Sequence, residues 1–346
     1  MSRYYQDILQ QPVQLTASLH HHTGEGKAAM QKAFKALSRS RPVFIVGIGA
    51  SWNAGLSVQY ALNNVGIMSY LYEAAEFYHY IRLPEHSLVL FLSRSGKSIE
   101  IVHSIEKCRQ SGATIMAITN DPESPLGRGA DICLSTGVAF DHAISVNTYS
   151  SILLTGHLLA QGMQEHFDQS SSVSEIKNVL SAMEQWVPRW EEAIDEVEWP
   201  AASSYYFLAR GNSLASAYES ALLWEEAAKY PATAMPTGTF RHGPQEIIRE
   251  GIYVVLWIDH GPTRRYDWQL AEDMQTAGAK VLVIGSQEKR PAPFPLIDMP
   301  SVPAGMEPLV NIIPLQIAAQ RFARARGEDS DGFRYCSLVV EKEGGL

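Results

Sequence analysis

The chain has 346 residues, 46% of them hydrophobic and 19% charged, which excludes a disordered or low-complexity protein and suits two domains with sizeable cores. A net charge of −9, from 28 basic and 37 acidic residues, is the wrong sign for gripping a nucleic-acid backbone or an acidic lipid surface. Any anion must therefore be bound at a local site. Three cysteines (108, 133 and 336) without CxxC spacing argue against a disulfide framework or a structural zinc site. The amino terminus lacks a secretory layout and no apolar stretch is long enough to span a bilayer, so the expectation is a cytoplasmic protein without membrane contact.

In chain order, the first strong strand is Pro42 to Val46, followed by a helix over Ala54 to Asn64. A second apolar run, Val89 to Gly96, leads into a helix from Ser98 to Ser111, and Gly112 to Ile118 supplies a third run. A Ser-rich stretch and an amphipathic helix then occupy Gln169 to Glu198. Beyond it the pattern returns: a strand at Tyr205 to Leu208, a helix from Leu214 to Lys229, and strand blocks at Val254 to Gly261 and Gly278 to Ile284. Gly49 on Gly211 sets an offset of 162, Gly96 on Gly261 an offset of 165 and Gly112 on Gly278 one of 166. Three blocks in one order at nearly constant offset indicate an internal duplication. Short, wholly apolar strands separated by helices predict an α/β fold with a doubly wound parallel sheet in each copy, flanked by helices as a three-layer α/β/α sandwich. The predicted boundaries are 1–170 for the first domain, 171–198 for a linker helix and 199–346 for the second domain.

Ligands of open parallel sheets bind beyond the carboxyl ends of the strands. Two loops of the first copy lie there, Gly47 to Ser51 and Ser93 to Ser98, and each opens a helix. Small residues let backbone N–H groups approach an anion, hydroxyls donate, and Arg94 and Lys97 add positive charge, so together they form a candidate phosphate cradle. Neither is a Walker A loop, and the competing reading is a pair of serine-capped helices. The counterpart in the second copy, Ile258 to Thr263, has an acidic residue and no serine. That copy instead offers Glu219 and Glu226, seven apart on one face of a helix that is otherwise apolar, where a carboxylate can serve as a general base. Glu225 and Glu226 are otherwise read as solvating a helix face. His242 stands in a loop-like Arg-His-Gly-Pro context.

These residues resemble the SIS (sugar isomerase) domain family in tandem, and especially the isomerase half of glucosamine-6-phosphate synthase. The matching segments are Asp7 to Pro12, Gly49 to Gly55, Ser93 to Ser98, Ala143 to Tyr149, and Glu219 to Glu226 followed by His242-Gly243-Pro244 sixteen residues after the last Glu. The resemblance implies two tandem SIS domains. It implies a phosphorylated sugar or amino sugar bound by Gly49, Ala50, Ser51, Ser93, Arg94, Ser95, Ser98, Ala143, Ser145 and Glu219. It further implies proton transfer between C1 and C2 by Glu226, ring opening by His242, and a homodimer with the active site at the subunit interface. The family's two active-site lysines are not matched: one position holds Leu223, and the other falls in the Lys-free stretch Asp331 to Leu338. Lys229 is not expected to replace the first. No glutaminase segment precedes the pair, so glutamine-derived ammonia, and with it glucosamine 6-phosphate synthesis, is not expected. No metal or organic cofactor is called for, because proton transfer beside a carbonyl needs only a base and an acid. The expected activity is aldose–ketose isomerisation, deamination or deglycation of a sugar phosphate. The alternative is a non-catalytic phosphosugar sensor, which the missing lysines favour and the retained Glu and His oppose. His20 to His22 are read as pointing in different directions rather than binding a metal. Trp186, Trp190 and Trp199 are read as packing residues, and the arginines between 321 and 326 as a solvated helix face.

Overall fold

A computed structural model describes residues 1–39, 42–163, 171–201, 204–286 and 292–344. The strands are β1 (Val43–Gly47), β2 (Ser69–Glu73), β3 (Leu88–Ser93), β4 (Thr114–Thr119), β5 (Ile132–Ser135), β6 (Ser204–Ala209), β7 (Ala232–Pro236), β8 (Ile252–Ile258), β9 (Lys280–Gly285) and β10 (Leu296–Asp298). The helices are α1 (Arg3–Thr23), α2 (Lys27–Leu37), α3 (Ala50–Asn64), α4 (Ala74–Tyr80), α5 (Ile99–Gln110), α6 (Pro125–Gly129), α7 (Asn147–Gln161), α8 (Ser171–Asp195), α9 (Leu214–Glu226), α10 (Thr237–Arg241), α11 (Arg264–Thr276), α12 (Glu307–Asn311) and α13 (Ile313–Ala325).

Two five-stranded, all-parallel sheets result, with orders β2-β1-β3-β4-β5 and β7-β6-β8-β9-β10. Written in order of appearance, both are 2-1-3-4-5, so the duplication inferred from the offsets is a duplication of one topology. Central strands such as β1, β3 and β8 are buried along their whole length, as expected when helices cover both faces of a parallel sheet. One side of the first sheet packs Phe44, Phe77, Phe91 and Ile105, and one side of the second packs Phe240, Leu256, Trp268 and Met274.

The compact units are composed of Leu9–Ser181 with Phe333–Leu346, and of Met1–Ile8 with Ala182–Gly332. Both chain ends thus count with the unit opposite to the one expected from sequence order. In the second unit the Asp331 carboxylate accepts from the N–H groups of Arg3 and Tyr4, both at 2.9 Å, and caps the start of α1. In the first unit the tail returns a backbone contact: Ile99 N–H, the first residue of α5, donates to the Val340 carbonyl at 3.1 Å. Among the described residues no helix is long and apolar enough to cross a membrane.

Other expectations resolve locally. His22 is buried against the Thr155 hydroxyl at 2.7 Å, and burial depresses its pKa to about 3, which leaves it neutral. Trp190 is buried and donates to the Asp298 carbonyl, while Trp199 stacks on Tyr205 and Tyr253. Of the arginines between 321 and 326, Arg324 is exposed as expected, whereas Arg321 is half-buried and pairs with Glu191 and Asp195, each at 2.9 Å.

Candidate active site

In the 2-1-3-4-5 order the chain reverses direction across the sheet between β1 and β3, which opens a crevice at their carboxyl ends. Both serine-bearing loops of the first unit follow these two strands. Gly49 adopts φ 56° and ψ −132°, a region closed to residues with a Cβ, and this lets β1 turn directly into α3 with Ala50 and Ser51 in its first turn. Gly96 has φ 62°, and a Cβ there would lie 2.1 Å from Ser124 Oγ. Only glycine fits both the backbone and the space.

The loop after β3 is internally braced. Gly96 N–H donates to Ser93 Oγ at 3.0 Å, and Lys97 N–H donates to Ser95 Oγ at 3.2 Å. Each hydroxyl oxygen accepts from the backbone in this arrangement, which leaves its proton to donate elsewhere. Ser98 precedes α5 and Gly49 precedes α3, yet neither helix start carries a side-chain capping bond. The serine-cap reading therefore fails at both positions. Ser51, Ser93 and Ser95 are buried rather than open to solvent.

The basic residues act differently from the sequence expectation. Lys97 pairs with Asp121 at 2.8 Å, and that ammonium draws the Asp121 pKa below its usual range. Arg94 donates to the Ala143 carbonyl at 2.6 Å and to the Leu338 carbonyl at 3.1 Å. Its partners are neutral, so the loop keeps one net positive charge, but that charge also ties the loop to the Ala143 segment and to the tail.

The Ala143 to Tyr149 segment is held by a residue not singled out by sequence. Asp141, buried, accepts from the N–H groups of Val146 (3.0 Å), Asn147 (2.8 Å) and Thr148 (3.0 Å), and from the Asn147 amide and Thr148 hydroxyl side chains. It fixes the turn carrying Ala143 and Ser145 and caps α7. The available signal was an Asp six residues ahead of an apolar helix, a spacing longer than that of an ordinary N-cap.

In the second unit, Glu219 lies fully buried in the middle of α9 and Glu226 is its half-buried last residue. The helix stops there rather than at Lys229. Lys229 has φ 52°, unusual for a residue with a side chain, and its ammonium donates to the carbonyls of Glu226 (2.5 Å), Asp329 (2.8 Å) and Gly332 (2.6 Å). These three acceptors commit Lys229 to structure, in keeping with the expectation that it does not replace a catalytic lysine. Leu223, which stands at the lysine position that Lys229 would have had to replace, is fully buried. His242 follows α10 and is exposed, with Gly243 at φ 138° behind it.

Two copies of a 2-1-3-4-5 parallel sheet, with a serine-rich loop at the switch crevice of one copy, define a tandem doubly wound α/β chain. The SIS domain family matches residues 36–161 and 201–322, and the chain belongs to that family. It is 28% identical over 321 residues to glutamine–fructose-6-phosphate aminotransferase (isomerizing) of Sulfurisphaera tokodaii, a match covering 91% of this chain and 52% of that protein. The chain thus spans about half the length of the curated relatives it matches. Its fold is similar to the C-terminal domain of glucosamine-fructose-6-phosphate aminotransferase from Francisella tularensis, with a TM-score of 0.88, 20% identity, and coverage of 96% of this chain and 98% of that one. Glucosamine-6-phosphate deaminase from Thermotoga maritima aligns with a TM-score of 0.78 and 21% identity over 98% of this chain and 99% of that one. A ketose/aldose isomerase is also among the structural neighbours.

Proposed function

We propose that this chain is a phosphosugar aldose–ketose isomerase, or a deaminase or deglycase of an amino-sugar phosphate, working by proton transfer between C1 and C2. The observation that carries this reading is the braced, uncapped serine loop at the switch crevice of the first unit. Hydroxyls of Ser51, Ser93, Ser95 and Ser98 bind the phosphate, Arg94 supplies the local positive charge, and Gly49 and Ala50 admit close backbone approach. Asp141 positions the Ala143 and Ser145 segment that lines the sugar.

Glu226 is the base. Its carboxylate removes the proton from C2 of an open-chain aldose, or from C1 of a ketose, to give an enediol, and returns it to the neighbouring carbon. With a 2-amino aldose the same shift leaves a C2 imine, which water hydrolyses to ketose and ammonia. With a 1-amino ketose it leaves a C1 imine, hydrolysed to aldose and free amine. His242, exposed beyond α10, assists ring opening and is contributed by the second copy in a homodimer. Glu219 supports the base helix from within. Because the curated relatives are about twice as long, the activity proposed is that of this isomerase-type region alone.

The test is proton exchange. With a panel of hexose 6-phosphates, hexosamine 6-phosphates and phosphorylated 1-amino ketoses in deuterated water, NMR should show deuterium entering C1 or C2 of at least one. Glu226→Gln should lower that rate about 1,000-fold, the range expected for a general base, with sugar-phosphate affinity unchanged. Tight binding without exchange by the unaltered protein would instead establish the sensor reading.

A further inference from the structure

The second unit has its own crevice, and its chemistry is the reverse of the first. Beyond the carboxyl ends of β8, β9 and β10 lies a cavity of about 120 Å³, closed on its far side by α12. It is many times the ~10–15 Å³ that a single water requires. By the duplication, its β8 wall is the counterpart of the serine loop after β3. Where that loop carries Ser93, Ser95, Ser98 and Arg94, this wall carries Asp259 and His260, and Glu307 faces them from α12. The apolar wall is formed by Met299, Val302 and Val310, and among the described residues no lysine or arginine lines the cavity.

Among the described residues the nearby arginines hold partners of their own, although the charge of Arg264 also acts on Asp259. Arg264 donates to the Ser286 carbonyl at 2.7 Å and more weakly to that of Ile258, and Arg210 pairs with Asp267 at 2.7 Å. His260 shares a hydrogen bond with Ser286 at 2.9 Å. Asp259 is held by the Ser213 hydroxyl, itself fixed by the Asn311 amide at 2.7 Å, and Asn311 in turn accepts from Ser216 at 2.6 Å. The carboxyl group is thus oriented by a chain of neutral hydrogen bonds, and among the described lining residues no lysine or arginine brings it a counter-charge. Desolvation, with Glu307 and Asp267 nearby, raises the Asp259 pKa to about 7, and desolvation raises that of Glu307 too. Two desolvated carboxyl groups facing one cavity are stabilised by an incoming cation far more than by any anion or neutral ligand.

We propose that this cavity is a second ligand site, specific for a small primary ammonium group on a short alkyl chain. The ammonium donates to Asp259 and Glu307, and the alkyl part lies against Met299, Val302 and Val310. This assignment does not depend on the reaction proposed above. Among the described residues the titratable groups around the cavity are Asp259, His260 and Glu307 in its lining, with Asp267 and Arg264 on α11.

Isothermal titration of the whole chain with propylammonium chloride tests it, with sodium propionate and inorganic phosphate as the anionic arms. Saturable propylammonium binding is expected, tightening at least fivefold from pH 6 to pH 8 as Asp259 ionises. It should weaken at least tenfold in Asp259→Asn and separately in Glu307→Gln, each checked for an unchanged thermal melt. If one variant melts early, the other carries the test. Absence of saturable propylammonium binding, stronger binding of propionate or phosphate that is lost in the same variants, or affinity untouched by both substitutions would overturn the proposal.

Discussion

The two domains share a strand order and differ in what they place beyond it. The first carries small hydroxyl residues and one arginine at its crevice, and the second carries carboxyl groups. A duplicated fold is free to diverge in this way because the sheet core and the loops beyond it are separate demands: burial fixes the strands, whereas the loops answer only to their ligand. The glycines show how far the divergence has gone. Gly96 and Gly261 occupy equivalent positions, but Gly96 has a positive φ and a neighbour at 2.1 Å, whereas nothing lies within 4 Å of a Cβ at Gly261.

That contrast gives the largest expected difference. Gly96→Ala should cost about 3 kcal/mol, combining backbone strain with overpacking against Ser124, and should abolish the sugar-phosphate binding proposed above by distorting the loop. Gly261→Ala should stay within about 0.5 kcal/mol of the unaltered protein. Urea unfolding curves of the two variants decide the matter, and equal costs would break the claim that only the first loop is sterically fixed.

The next largest effect is in pH. The first unit buries His22 and His157, the latter bonded to Ser57 at 2.9 Å, and burial depresses their pKa values to about 3 and about 4. The unfolded chain takes up those protons below about pH 6.5 and the native state does not, so stability is full above pH 6.5 and falls as pH drops toward 4. For His157 alone the loss is on the order of 3 kcal/mol. The second unit behaves oppositely through Asp259 and Glu307. Its native state keeps protons that the unfolded chain has released, so this contribution is full near pH 4 and is lost as pH rises through about 7. Hydrogen exchange followed by mass spectrometry at pH 5 and pH 7, corrected for intrinsic rates, should show the first unit losing protection in acid relative to the second. Parallel changes in both units would refute it.

A smaller effect distinguishes the ends of the two helices that follow the first strand of each copy. After α3 the left-handed turn is taken by Gly66 at φ 83°, where it costs nothing, and after α9 the comparable φ falls on Lys229. Lys229→Met should destabilise by about 2 kcal/mol, since it removes charge-assisted bonds to three carbonyls and leaves the strain in place. Lys229→Gly should cost about 1 kcal/mol less than the Met variant because it relieves that strain. Six of the seven tryptophans (186, 190, 199, 224, 257 and 268) lie in the second unit, so fluorescence-detected unfolding reads this difference there.

Much of this was legible in the sequence because parallel strands announce themselves. β1, β3, β4, β6, β8 and β9 are built on apolar runs, and glycines beside them marked both the duplication and the cradle. The edge strands β2, β5, β7 and β10 were not legible: Ser69–Glu73 and Ala232–Pro236 are short, half-buried and mixed in character, so no periodicity sets them apart. Among site residues, Ser93, Ser95 and Ser98 could be proposed from composition and position. Asp141 could not, because its value lies in five hydrogen bonds that exist only once the turn is folded. The destinations of Arg94, Lys97 and Lys229 were equally invisible, since a long cationic side chain reaches whatever acceptor the tertiary structure brings within several ångströms.

The sequence by itself determined the duplicated parallel α/β architecture, since buried strands must be apolar and tight strand-to-helix turns must be glycine. It also determined that one copy kept hydroxyls where the other acquired acid. Only the tertiary structure decided that the serine loop is braced by its own amides rather than capping a helix, and that Arg94 is shared between the loop, the Ala143 turn and the tail. It alone decided, too, that Asp259 and Glu307 face one cavity. Hydrogen bonds and charge pairing depend on directions and on distances of a few ångströms between residues far apart in the chain, and one-dimensional pattern carries neither.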